Sequence, residues 1–142
     1  MSARYLRIDP LQLPYDLGVD EQGRSKTQFN IFAEKTKSSG AKGFEDELVK
    51  ILEDAGVVVS TGATRNVFVG SNARIPTAAG PYLSVIATSG VAGQKIQNTP
   101  GIEYEKPTAL IVVRATDYVV ARAKARAAYD VLSVVRNLTV TP

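Results

Sequence analysis

The chain of 142 residues contains no cysteine and no histidine. It therefore lacks the usual ligands of zinc, iron–sulfur and haem centres, and it can supply neither a thiol nucleophile nor an imidazole base. Disulfides are excluded, so stability must come from packing or assembly, and cysteine usage carries no information about redox compartment. Long apolar runs are missing too. No window approaches the roughly 18–20 apolar residues of a membrane-spanning helix. In the opening MSARYLRIDPLQLPYD, Asp9 and Pro10 interrupt the stretch that an export signal would need. No membrane partner is expected.

Phosphate cradles and activated serines have recognisable spacings, namely GxGxxG after a strand, GxxxxGK[ST], GxSxG and SxxK. None occurs here. What remains for catalysis is carboxylate chemistry. Glu103 and Glu105 lie two apart and would share one face of a strand as an acid and base pair. No motif supports such a pair, and exposed strand glutamates are far commoner than catalytic ones. The expectation is a protein with no catalytic residue, no metal site and no cofactor.

What is present is the composition of one ordinary globular domain, with 44% hydrophobic and 22% charged residues. The net charge of +3 is unevenly spread. Residues 44–62 carry one basic and five acidic side chains, whereas residues 114–142 carry five basic and two acidic ones. Segments of opposite sign suit head-to-tail contact between subunits at least as well as they suit a polyanion.

Residues 1–43 are punctuated by Pro10, Pro14, Gly18, Gly23, Gly40 and Gly43, and read as an N-terminal arm and linker before a domain at 44–142. Within the arm, Thr27 to Lys35 alternates partly, so Phe29, Ile31 and Phe32 mark a candidate strand that needs a sheet edge or a neighbouring subunit to pair with. From Phe44, the spacing of Leu48, Ile51, Leu52 and Ala55 predicts a helix with Glu45, Asp46 and Glu47 in its first turn and Gly56 as its stop. Val57–Ser60, Asn66–Gly70, Tyr82–Thr88 and a stretch centred on Leu110–Val113 predict strands, and Gly90–Gly101 reads as a connection or hairpin tip. Pro107 belongs at a strand start, edge or bulge. A second helix is expected from the N-cap Asp117 to about Leu138, burying Ala121, Ala125, Ala128, Leu132 and Val135. Short links between consecutive strands favour antiparallel pairing. The expected fold is α+β, a small and mainly antiparallel sheet of about four strands packed by two helices, with an extended N-terminal arm.

Arg122 and Arg126 share the outward face of this last helix, with Lys124 turned away and Arg114 and Arg136 near its ends. Basic residues so placed admit nucleic-acid binding. Asp130 stands i+4 from Arg126, however, which better fits an ordinary solvated or interface helix with internal ion pairing.

One stretch adds a resemblance. Pro81 and Tyr82, then Tyr104 through Thr108, then Val113, Arg114 and Ala115, Tyr118 and Ala121, and finally Leu132, Asn137 and Leu138 follow a helix in an order similar to that of the tail-terminator (tail-completion, minor capsid) proteins of long-tailed bacteriophages and gene transfer agents. The likeness covers roughly residues 44–139, and the arm of residues 1–43 departs from that compact pattern. It implies a non-enzymatic virion protein of the head-tail interface, assembled in the bacterial cytoplasm. Its subunits would close into a ring, typically of about six, capping the tail tube, ending its growth and presenting a surface to the head-completion or connector protein. Arg114, Arg122 and Arg126 are then candidates for subunit contact or for lining a lumen through which DNA passes. A basic nucleic-acid-binding or regulatory α+β module is the alternative.

Overall fold

A computed structural model describes residues 6–19, 23–36, 44–62, 64–70, 80–95 and 103–135, without the side chains of 6, 35–36, 89–95 and 103–105. The elements follow the order β1 (Leu6–Pro10), β2 (Tyr15–Val19), β3 (Ser25–Thr36), α1 (Phe44–Asp54), β4 (Val67–Val69), β5 (Tyr82–Lys95), β6 (Glu103–Ala115) and α2 (Tyr118–Ser133). They form an α+β fold in which two helices pack on a sheet of six strands, ordered β1-β3-β6-β5-β4, with β2 also paired to β3. All pairings are antiparallel except that of β4 with β5.

Period-two alternation decides which side of each strand meets the helices. On β3, Phe29, Ile31 and Ala33 are fully buried while Gln28, Asn30 and Phe32 between them are half-buried. Phe29 lies opposite Ile111 and Ile31 opposite Ala109 on β6, and the same buried row continues across Val85 and Leu83 of β5. Helix α2 covers β1, β3 and β6, whereas α1 covers β4 and β5 and touches α2. The alanines at 121, 125 and 128 let α2 approach the sheet closely, with Leu132 closing the stripe. Each fully buried large side chain of this core contributes roughly 1.5–3 kcal/mol.

The helix ends follow their sequence signals. Asp117 caps α2 by accepting the Val119 N–H at 3.0 Å. Helix α1 ends in a Schellman arrangement, in which the Gly56 N–H donates to the Glu53 carbonyl at 3.0 Å and the Val57 N–H to the Leu52 carbonyl at 2.9 Å. Gly56 takes the left-handed φ of +80° that this closure requires. Beyond it, the Ser60 N–H and hydroxyl both donate to the Glu53 carboxylate, which holds that carboxyl below its ordinary value. Gly80 is needed for a different reason, since a Cβ there would stand 2.9 Å from the Arg114 carbonyl oxygen.

Several expectations are corrected. The stretch expected to be an arm supplies three strands, because Thr27–Lys35 finds its sheet edge on β6 of the same chain and does not wait for a neighbour. Among the described residues the strand count is therefore six and not about four. Val57–Ser60 is no strand: Val57 and Val58 are buried, but the backbone there serves the helix stop and pairs locally, with the Asn66 N–H donating to the Val59 carbonyl at 3.0 Å. Residues 90–95 continue β5, and Pro107 sits opposite a register shift between Thr88 and Val91, so the bulge absorbs the missing N–H. Helix α2 stops at Ser133 with Val134 as its C-cap. Arg136, Asn137, Leu138, the linker before Phe44 and the tip at 96–102 lie outside the described residues.

Because Phe29 is fully buried at the sheet centre, Phe29→Ala is expected to destabilise by about 3–5 kcal/mol, whereas Phe32→Ala on the other face costs clearly less. Denaturant unfolding of the two variants measures the difference, and equal small losses would mean that β3 is not part of the core. Glu53, with its depressed value, adds stability that is present above the ordinary carboxylate range and lost as pH falls through its own titration. Carboxyl NMR should find Glu53 titrating below its ordinary value, and Glu53→Gln should remove that part of the acid sensitivity.

Candidate interaction surface

Pro10 ends β1 and Pro14 precedes β2, so the outer edge of β3 is paired by two short strands separated by a kink. A side chain bridges the gap. Leu11 N–H donates to the Asn30 carbonyl at 2.8 Å, and the Asn30 N–H donates to Gln12 Oε1 at 2.8 Å. Beyond the kink, every residue of β2 is exposed, and the register shifts between Asp16 and Val19, where the Gly18 N–H donates to Asp16 Oδ1 at 3.0 Å. Leu11, Leu13, Tyr15, Leu17 and Val19 alternate along this edge and remain open to solvent, Leu13 at 57% and Val19 at 66%.

The neighbouring face belongs to α2. Its capped first turn holds Tyr118, Val119 and Val120, all exposed, and the next two turns present Arg122 and Arg126. Arg122 Nη1 donates to the Tyr118 hydroxyl at 3.5 Å. Arg126 Nε lies 3.3 Å from Asp130 Oδ1, and its guanidinium stands 5.2 Å from the centre of the Tyr129 ring. That ring packs edge-on against Phe29 at 5.7 Å, so the cation rests on an aromatic anchored in the core.

Between the kink and α2 runs a groove. One end, of about 190 Å³, is lined by Leu13, Pro14, Arg122 and Arg126. The other, of about 160 Å³, is lined by Pro14, Asp16, Thr27, Tyr118 and Arg122. Pro14 and Arg122 wall both ends. Thr27 is buried at the floor, and its Oγ1 has no hydrogen-bond partner. The lining thus combines Leu13 and Pro14 with Arg122, Arg126 and the Asp16 carboxylate; Arg126 is already answered by Asp130 and the Thr27 hydroxyl is sealed from solvent, so the guanidinium offered to a carboxylate is that of Arg122.

Of the residues singled out from sequence, Arg122 and Arg126 are brought together. Arg114 is not with them: it alternates with the buried Ile111 and Val113 on β6, in register with Lys26 and Tyr82, and so lies on the sheet face away from the helices, where it already has a partner. Phe29 and Ile31 are core, and Phe32 is on the opposite face. Lys124 turns away, its Nζ donating to the Val57 carbonyl at 2.6 Å. Glu103 and Glu105 have their backbones in β6, and their side chains lie outside the described residues. No helix among the described residues is long and apolar enough to cross a membrane. The sequence reading missed the edge at Leu11–Val19, although LQLPYDLGV carries apolar residues at every second position. No protein-family model matches the chain, and no curated protein or solved structure matches it.

Because Arg122 and Arg126 are exposed and make only surface contacts, replacing both with alanine should change folding stability by no more than about 0.5 kcal/mol. Unfolding followed by circular dichroism checks this, and a loss of about 2 kcal/mol would show that the pair is structural.

Proposed function

We propose that this protein is a structural virion component of the phage head-tail interface, a tail terminator whose subunits close into a ring on the end of the tail tube. The ring ends tube growth and offers its far side to the head-completion or connector protein. In this reading the protein is not an enzyme, needs no cofactor, assembles in the bacterial cytoplasm and ends up in the virion neck, with DNA passing through the lumen without sequence recognition. The observation that carries it is the run of solvent-facing apolar side chains Leu11, Leu13, Leu17 and Val19 along the outer edge of the sheet. A row of exposed apolar side chains along a sheet edge is uncommon in proteins that remain monomeric, and marks a face covered on assembly. Sequence order from Pro81 to Leu138 supplies the specific family, and the separation of acidic and basic segments fits head-to-tail contacts that close.

A second reading, a basic nucleic-acid-binding or regulatory module, is favoured by the exposed pair Arg122 and Arg126. It is weakened by Asp130, which already answers Arg126.

Light scattering and negative-stain imaging, with the protein alone and mixed with purified tail tubes, test the proposal. Rings seated at one end of the tube are the expected result. A monomer that leaves tubes bare, together with DNA affinity that falls steeply with log salt, would replace this reading with the second.

A further inference from the structure

Assembly into a ring needs two different surfaces on each subunit, and the order of the sheet places two such surfaces at opposite edges. At one edge, β1 and β2 leave the groove of Leu13, Pro14, Arg122 and Arg126 beside exposed apolar side chains. At the other, β4 is the last strand and α1 covers it, away from the β1 side that α2 occupies. This second edge also carries exposed apolar residues, Val59 and Val69. Helix α1 here is acidic, bearing Glu45, Asp46 and Asp54 against Lys50, while Arg65 stands over Phe68 of β4, so the excess of negative charge lies on the helix side of this edge. Asp54 is exposed, its contact with Lys50 being only 3.7 Å.

We infer that the groove between the β1–β2 kink and α2 is the receiving half of a heterologous interface, and that its occupant is the acidic α1–β4 edge of a second copy of this chain. A carboxylate from α1 of that copy would pair with the exposed Arg122, in competition with the Asp16 carboxylate that lines the same pocket. Val59 and Val69 of the copy would lie on Leu13 and its apolar neighbours. The inference rests on the ring reading for its biological setting, but its physical grounds are the charge and apolar complementarity of two edges that face opposite ways. An interface between unlike surfaces repeats without self-pairing, so each subunit added presents the same vacant edge again, and a suitable rotation closes the series.

Absence of native cysteine makes a direct test available. Leu13→Cys and Asp54→Cys are prepared as separate full-length proteins and mixed in the presence of a short bis-maleimide. The mixture is expected to give cross-linked dimers, and the variant carrying both substitutions a ladder of higher species, whereas each single variant alone gives none. Cross-linking should fall at least tenfold when Arg122→Glu and Arg126→Glu are introduced on the Leu13→Cys partner. It should recover when Asp46→Lys is added to the Asp54→Cys partner. Self-cross-linking of Leu13→Cys alone would overturn the inference in favour of a symmetric contact. Rings on tubes without the mixed cross-link would overturn it and leave the ring reading standing, whereas the mixed cross-link without rings on tubes would support this interface and remove the tail-terminator reading.

Discussion

The pairing of β3 with β6 is the constraint on which the rest of this structure depends. It runs from Ser25 opposite Ala115 to Thr36 opposite Tyr104, and it brings the first quarter of the chain against the last third. Phe29, Ile31, Ile111 and Val113 gain a common apolar surface only through that register, and α2 has nothing continuous to pack on without it. A slip of one residue would turn each of these side chains to the opposite face of the sheet. The contacts that set the register are distant in sequence, so their loop-closure entropy must be offset by burial at the centre of the core.

Much of this was legible in local pattern. Helix α1 announced itself by its apolar spacing and by Gly56, and α2 by the stripe of alanines and by Asp117. Pro107 was recognisable as a residue that a regular central ladder cannot accommodate. The failures have a common origin in partners that local sequence does not name. Thr27–Lys35 resembled an arm because its flanks are rich in Gly and Pro, and nothing in those nine residues points to β6 some eighty residues later. Val57–Ser60 has the composition of a strand, yet its amides are committed elsewhere, that of Val57 to the Leu52 carbonyl, that of Val59 to Asn66 Oδ1 and that of Ser60 to the Glu53 carboxylate.

The candidate surface was legible in half. Arg122 and Arg126 follow from helical spacing alone. The wall facing them does not, because Leu13 and Pro14 reach α2 only after β1 and β2 have docked on β3. Arg114 was grouped with the other two arginines by proximity in sequence, and strand alternation sends it to the far face of the sheet. The orphaned Thr27 hydroxyl had no sequence signal, since only packing shows whether a threonine in a strand is sealed from water.

The kink between Pro10 and Pro14 bears on how this molecule avoids uncontrolled polymerisation. A straight edge as apolar as this one would offer an unbroken row of amides and carbonyls to any extended chain, the geometry that seeds fibrils. Two prolines and a glutamine side chain that substitutes for a strand residue divide the row into short pieces that no single partner strand can follow. In the proposed ring, adhesion at this edge would be left to side chains holding a neighbour at one fixed angle, and a fixed angle repeated from copy to copy describes an arc of finite size.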